Sequence, residues 1–217
     1  MPAAPIHLAH HRLALDPLGA LVWRQAEIMA LADAVVSPAV LERLVLLLRR
    51  WEPRVLLFLG GKMRAELAPQ LARVIGGRQL IWVGEDFPAA PGVGECRARF
   101  EQDGLVFCHR PGGPPKNAWR RQVIAPRIFG YFRPVSEPGT ARAAACFIAS
   151  PQGIVLPGFG GVLDGTDISN PDLAGFFPGG RIFACAKDRF RSFTYSHLST
   201  SLGAARGPSF EPELQHG

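Results

Sequence analysis

The sequence predicts an α/β fold. Three observations carry that prediction: a first half in which continuous apolar runs alternate with stretches of helical period, a second half of short strand-like runs cut by Gly, Pro and Asn, and 47% hydrophobic residues over 217 positions, ample for a sizeable core. No linker or internal repeat divides the chain. One domain over residues 1–194 is expected, with a disordered tail over residues 195–217, which is polar, contains Gly and Ser, and lacks periodicity.

Each element has its own signal. "HRLALDPLGALVW" places Leu13 and Leu15 before a "DPLG" turn and Leu21 and Trp23 after it, the alternation of a β-hairpin. His7, His10 and His11 precede that first strand and are expected to be exposed. "EIMALADAVV" reads as a buried strand with Asp33 near its carboxyl end. "SPAVLERLVLLLRRWEP" combines a Ser cap, a Pro in the first turn and a helical stripe of apolar residues, and stops before Pro53. "RVLLFLGG" is a central strand closed by Gly60 and Gly61, "KMRAELAPQLARVIGG" a helix from Met63 to a glycine cap, and "QLIWVG" a third strand. This β-α-β-α-β series calls for right-handed crossovers and a parallel core. The runs "RARF", "GLVFCHR", "RQVIAPRIFGYFRP", "RAAACFIAS", "GIVLP" and "GRIFACAKDRFRSFTY" predict a mainly antiparallel second half, with a turn at "NPDLAGFF".

Charge and cysteine usage narrow the classes. The formal net charge is +6, and residues 97–133 hold eight Lys or Arg against two acids, 8 − 2 = +6. A basic segment that also contains Trp119 suits phosphates and stacked bases, which makes DNA or another phosphate-containing ligand the partner class it points to. The four cysteines, at 96, 108, 146 and 185, form no C-x-x-C pair and no zinc spacing, as expected for small hydrophobes in a reducing cytosol. No apolar run has the length of a signal peptide or a membrane span, so a cytoplasmic protein without a membrane partner is expected. "GFGGVLDG" lacks the lysine of a P-loop, which leaves its glycines to turns and close packing and Asp164 and Asp167 to turns.

The chemistry concentrates at strand ends. Glu85 and Asp86 follow "LIWVG", and acids at the carboxyl end of a parallel strand are placed for a metal or for general-base work. Together with Asp33, with Gly60-Gly61, with "FCHRP" and with "FGYFRP", they form an ordered set of stations. On these, and on the framework stretches "LDPLGALVW", "GLVFCHRP" and "VLPGFGGVLDGTDISNPDLAGFF", the chain resembles the calcineurin-like metallophosphoesterases, and within them the bacterial ligase-associated DNA damage response endonucleases.

The resemblance implies an αββα sandwich of two mixed β-sheets flanked by helices. It also implies a dinuclear metal centre, in which two cations about 4 Å apart activate water and neutralise phosphate charge. Such a centre uses D-x-H, a bridging Asp after Gly, G-N-H-D, a separate His and G-H-x-H. Asp33 and His109 keep their ligand types. Val35 stands at the first histidine position, Gly61 at the bridging aspartate, Glu85, Asp86 and Phe87 at Asn-His-Asp, and Tyr131 and Arg133 at the last two imidazoles.

A non-catalytic relative that needs no cofactor is therefore expected. Arg133 and Lys62, with Arg110 and Tyr131, would hold a phosphate where metals once sat, or Arg133 would only pair with Asp33, Glu85 or Asp86. The alternative is a phosphoesterase with one divalent metal, Mn, Fe or Zn, on Asp33, His109 and Glu85 or Asp86. A further alternative, implied by the resemblance, is an assembly subunit beside the ligase, helicase and nuclease of DNA repair.

Overall fold

The computed structural model describes residues 3–84, 92–109, 127–129, 135–136, 144–160, 180–186 and 189–194. Its first sheet is 7-stranded, in the order β1 (Ala4–Leu8), β2 (His11–Asp16), β3 (Ala20–Trp23), β4 (Ile28–Val35), β5 (Val55–Lys62), β6 (Gln79–Val83) and β7 (Glu95–Arg97). β2 and β3 form the predicted hairpin, with Leu15 opposite Leu21. β4, β5 and β6 run parallel, as the β-α-β-α-β series requires, and β7 adds a fourth strand parallel to β6.

The second sheet contains β8 (Arg99–Gln102), β9 (Leu105–Cys108), β10 (Arg127–Phe129), β12 (Ala144–Ser150), β13 (Gly153–Val155), β14 (Arg181–Ala186) and β15 (Arg189–Thr194), and β11 (Val135–Ser136) pairs with β12. Its order is β15-β14-β12-β13-β10-β9-β8. The expected antiparallel half is thus mixed, because β10 lies parallel to both β9 and β13.

The two sheets meet face to face. Ile6, Leu13, Leu15, Leu21, Ile28, Ala30, Leu57, Leu59 and Ile81 of the first pack with Leu105, Phe107, Phe147, Ile154 and Phe183 of the second. The other face of the first sheet carries α1 (Pro38–Trp51) and α2 (Ala68–Ile75), with Leu44, Leu47, Leu71 and Ile75 against Met29, Leu31, Leu56, Phe58 and Trp82. α1 starts where its sequence says it should: Ser37 is extended, and its Oγ accepts from the Val40 amide at 3.3 Å.

Two local expectations change. The second helix begins at Ala68, after a single 3-10 turn at Ala65–Leu67, because β5 continues to Lys62 and Pro69 fits only a first helical turn. His11 is not exposed: it opens β2 at 8% exposure, its Nε2–H donating to the carbonyl of Asp103 at 2.8 Å across to the β8–β9 turn. The "NPDLAGFF" turn, Asp164 and Asp167, and the 195–217 tail lie outside the described residues.

Candidate functional site

The carboxyl ends of β4 and β5 are shaped by two residues in the left-handed region. Ala32 pairs with Leu59 and Ala34 with Gly61, so Asp33 (φ 45°) stands opposite Gly60 (φ 76°). The alternation of β4 reverses there: Ile28, Ala30 and Ala32 face the second sheet, whereas Ala34 joins the helix side. A non-glycine residue with positive φ is strained, and Asp is among the side chains that tolerate it. Beyond the reversal, the parallel register sets Val35 beside Lys62, both exposed, with Val35 at 42%.

His109 arrives from the second sheet, one residue past β9. Its Nε2–H donates to Asp33 Oδ1 at 3.0 Å, and the two side chains are 15% and 18% exposed. The imidazole lies directly over Gly60. A Cβ built there would stand 2.3 Å from His109 Nε2 and 2.4 Å from Cδ2, closer than carbon ever approaches such atoms. A Cβ on Gly61 would stand 2.6 Å from the Ala34 carbonyl oxygen. The glycine pair at the end of β5 is what lets the histidine seat itself against Asp33.

This geometry bears on the metals that the sequence resemblance implies. A dinuclear centre takes a carboxylate shared between its ions from the end of β5. Here that position is Gly61, its Cβ direction is blocked by Ala34, and the space over Gly60 is filled by an imidazole. Among the described residues no three His, Cys, Asp or Glu side chains converge. The described ends of β4 and β5 do not fit a bridged pair of cations.

The structure brings Asp33 and His109 together and places Lys62 two positions past Gly60 on β5. Glu85, Asp86, Arg110, Tyr131 and Arg133 lie outside the described residues, as do Phe87 and Trp119. Among the described side chains of the basic segment, two cations are already matched. Arg97 pairs with Glu95 at 2.9 Å and Arg99 with Glu101 at 2.8 Å. The hydrogen bonds from Arg97 and Gln79 hold the Glu95 carboxyl below its usual range. Sequence reasoning missed Gly60 as the seat of His109. Its signal was a doubled glycine at a strand end, where only one is needed for a turn.

Two mixed sheets packed face to face, with α1 and α2 outside the first, make a metallophosphoesterase-like fold. The crystal structure of Pseudomonas putida nuclease MPE shares it, with a TM-score of 0.69 at 19% sequence identity, the match covering 88% of this chain and 100% of that one. No protein-family model and no curated protein sequence matches the chain. Among the described residues no helix is long and apolar enough to cross a membrane.

Proposed function

We propose that the chain is a non-catalytic relative of metal-dependent phosphodiesterases, which holds a phosphate-bearing or nucleic-acid ligand at the carboxyl ends of its parallel strands. The observation behind this reading is the imidazole of His109 lying over Gly60, beside Gly61, where a metal-bridging carboxylate would need to stand. Lys62 at the mouth, with Arg110, Tyr131 and Arg133 in sequence, would supply fixed donors to phosphate oxygens in place of cations.

A second reading has one observation in its favour. Two donors bound at about 2.1 Å to one ion, at right angles, sit about 3 Å apart, so the Asp33–His109 spacing of 3.0 Å also suits a single Mn, Fe or Zn completed by Glu85 or Asp86. In that case Nε2 gives up its proton and presents a lone pair. The sequence resemblance supports a third role, in assembly with a DNA ligase, helicase or nuclease, and co-purification with such proteins is its measure.

Metal analysis of the purified chain after incubation with Mn²⁺, Fe²⁺ and Zn²⁺, together with turnover of an aryl phosphodiester, separates the first two readings. The first expects substoichiometric metal, no turnover, and affinity for single-stranded DNA at low salt that falls on Arg133→Ala or Lys62→Ala. One metal per chain, with turnover abolished by Asp33→Ala, establishes the second and overturns the first. Affinity unchanged in both variants removes the phosphate pocket.

A further inference from the structure

We infer that β15, the edge strand of the second sheet, is a separate contact surface for the phosphodiester backbone of a nucleic acid. The inference rests on the nucleic-acid reading above for its ligand but not for its location. From β9, which leads into His109, to β15 is five strand steps, about 24 Å at the usual spacing of about 4.8 Å.

The placement of its cations follows from packing. Phe190 faces inward, in T-shaped contact with Phe147 at 6.1 Å and Phe183 at 6.2 Å, which anchors β15 to the core between the sheets. Side chains alternate along a strand, so Arg189 and Arg191 are both driven to the opposite face, where they are exposed. Their cross-strand register partners are Ala186 and Ala184, residue types with no charge to compete for a guanidinium group. Among the described residues neither arginine forms a salt bridge. This is unlike Arg97 and Arg99, which have acids two residues away.

The charge of the surroundings points the same way. β12, β13, β14 and β15 carry Arg181, Arg189 and Arg191 and no acid. Counting the intervening Lys187 and Asp188, residues 180–194 hold 4 − 1 = +3. Arg181 is occupied, lying 5.4 Å over the Phe183 ring and donating to Ser192 Oγ at 3.5 Å, which among the described residues of these strands leaves Arg189 and Arg191 as the cations offered to solvent. Two arginines about 6.6 Å apart along one strand can pair with phosphates of one nucleic-acid strand, and this contact reads no sequence.

The test is fluorescence anisotropy of a labelled single-stranded oligonucleotide and its duplex against the full chain over a salt series. Variants R189Q/R191Q, R189K/R191K, Lys62→Ala and Arg133→Ala are compared, with circular dichroism to confirm their fold. Loss of two phosphate contacts is expected to weaken binding of the Gln variant about tenfold or more at low salt. It should also flatten log K against log salt by about 1.4 to 1.8, with the Lys variant keeping both. Gln-variant binding and slope equal to the parent's overturns the inference, including where that variant instead self-associates and the arginines prove to be guards of an exposed edge. If Lys62→Ala and Arg133→Ala are both neutral while the Gln variant weakens binding, the strand-end pocket falls and the β15 surface stands. If the parent binds neither DNA at low salt, both fall.

Discussion

Gly60 is the residue on which the candidate site turns, because it answers to two demands at once. Its φ of 76° costs any L-residue about 1 kcal/mol, and its missing Cβ is the space His109 occupies. Gly60→Ala is therefore expected to destabilise by about 2 to 4 kcal/mol, and by only about 1 kcal/mol in a His109→Ala background. Urea unfolding of the double-mutant cycle measures the difference, and equal costs in both backgrounds would contradict the seating of the imidazole. The cysteines give a second residue-scale test. Burial pushes the Cys185 thiol up to about 12, against a weaker opposing pull from Arg43. An unfolded thiol titrates near about 8.5, so this contribution to stability is complete below that pH and is lost as pH rises toward the folded value. The stability difference between the parent and Cys185→Ala is expected to shrink from about pH 9 upward. In native protein at pH 8, thiol reagents should find the exposed Cys96 long before the buried Cys146 or the half-buried Cys185.

Among the elements, the β2–β3 hairpin and α1 are joined through one carboxylate. Asp16, with 0% exposure, accepts from the Leu18 amide at 2.9 Å, from Arg50 Nη1 at 2.8 Å and from Trp51 Nε1 at 2.8 Å. Asp16→Ala leaves an indole N–H and a half-buried guanidinium without their acceptor, and a loss of about 3 kcal/mol is expected in thermal or urea unfolding. The hairpin and α1 were legible because alternation, cap and apolar stripe agreed; the tie between them was not. "DPLG" reads as turn chemistry, and nothing local says that its aspartate will be held by residues 34 and 35 positions later. The start of α2 was missed for a related reason. The helical stripe begins at Met63, but the pairing of β4 with β5 through Val35 and Lys62 keeps the backbone extended past the glycines.

At the scale of the molecule, the order of strands and helices was readable from periodicity, and the sandwich from the framework stretches that carried the resemblance. Pairing directions in the second sheet were not, since an apolar run does not say which neighbour it takes or which way it points, and β9, β10 and β13 came out parallel. His11 was misjudged because its partner, the Asp103 carbonyl, is 92 residues away in the other sheet. A single segment after β13 stitches the layers. Gly158 bridges to Ala32, the Phe159 amide donates to the Ala32 carbonyl at 2.7 Å, and the Phe159 ring is buried in the helix-side core, beneath Arg43 at 5.2 Å. Phe159→Ala is expected to cost about 3 to 5 kcal/mol and to lower the midpoint of the whole unfolding transition, seen alike by circular dichroism and tryptophan fluorescence. Two separated transitions would mean that the layers unfold independently.

The facing left-handed pair, Asp33 and Gly60, also sets a direction on mutational change. A carboxylate at residue 61 gains nothing while the Ala34 carbonyl stands 2.6 Å from where its Cβ must go, and side-chain room above residue 60 opens only if His109 leaves Asp33. Each single step toward a bridged metal centre therefore loses packing before it gains a ligand. The strand ends behave as a ratchet, and Gly61→Asp alone is expected to yield a less stable protein that still binds no pair of metals.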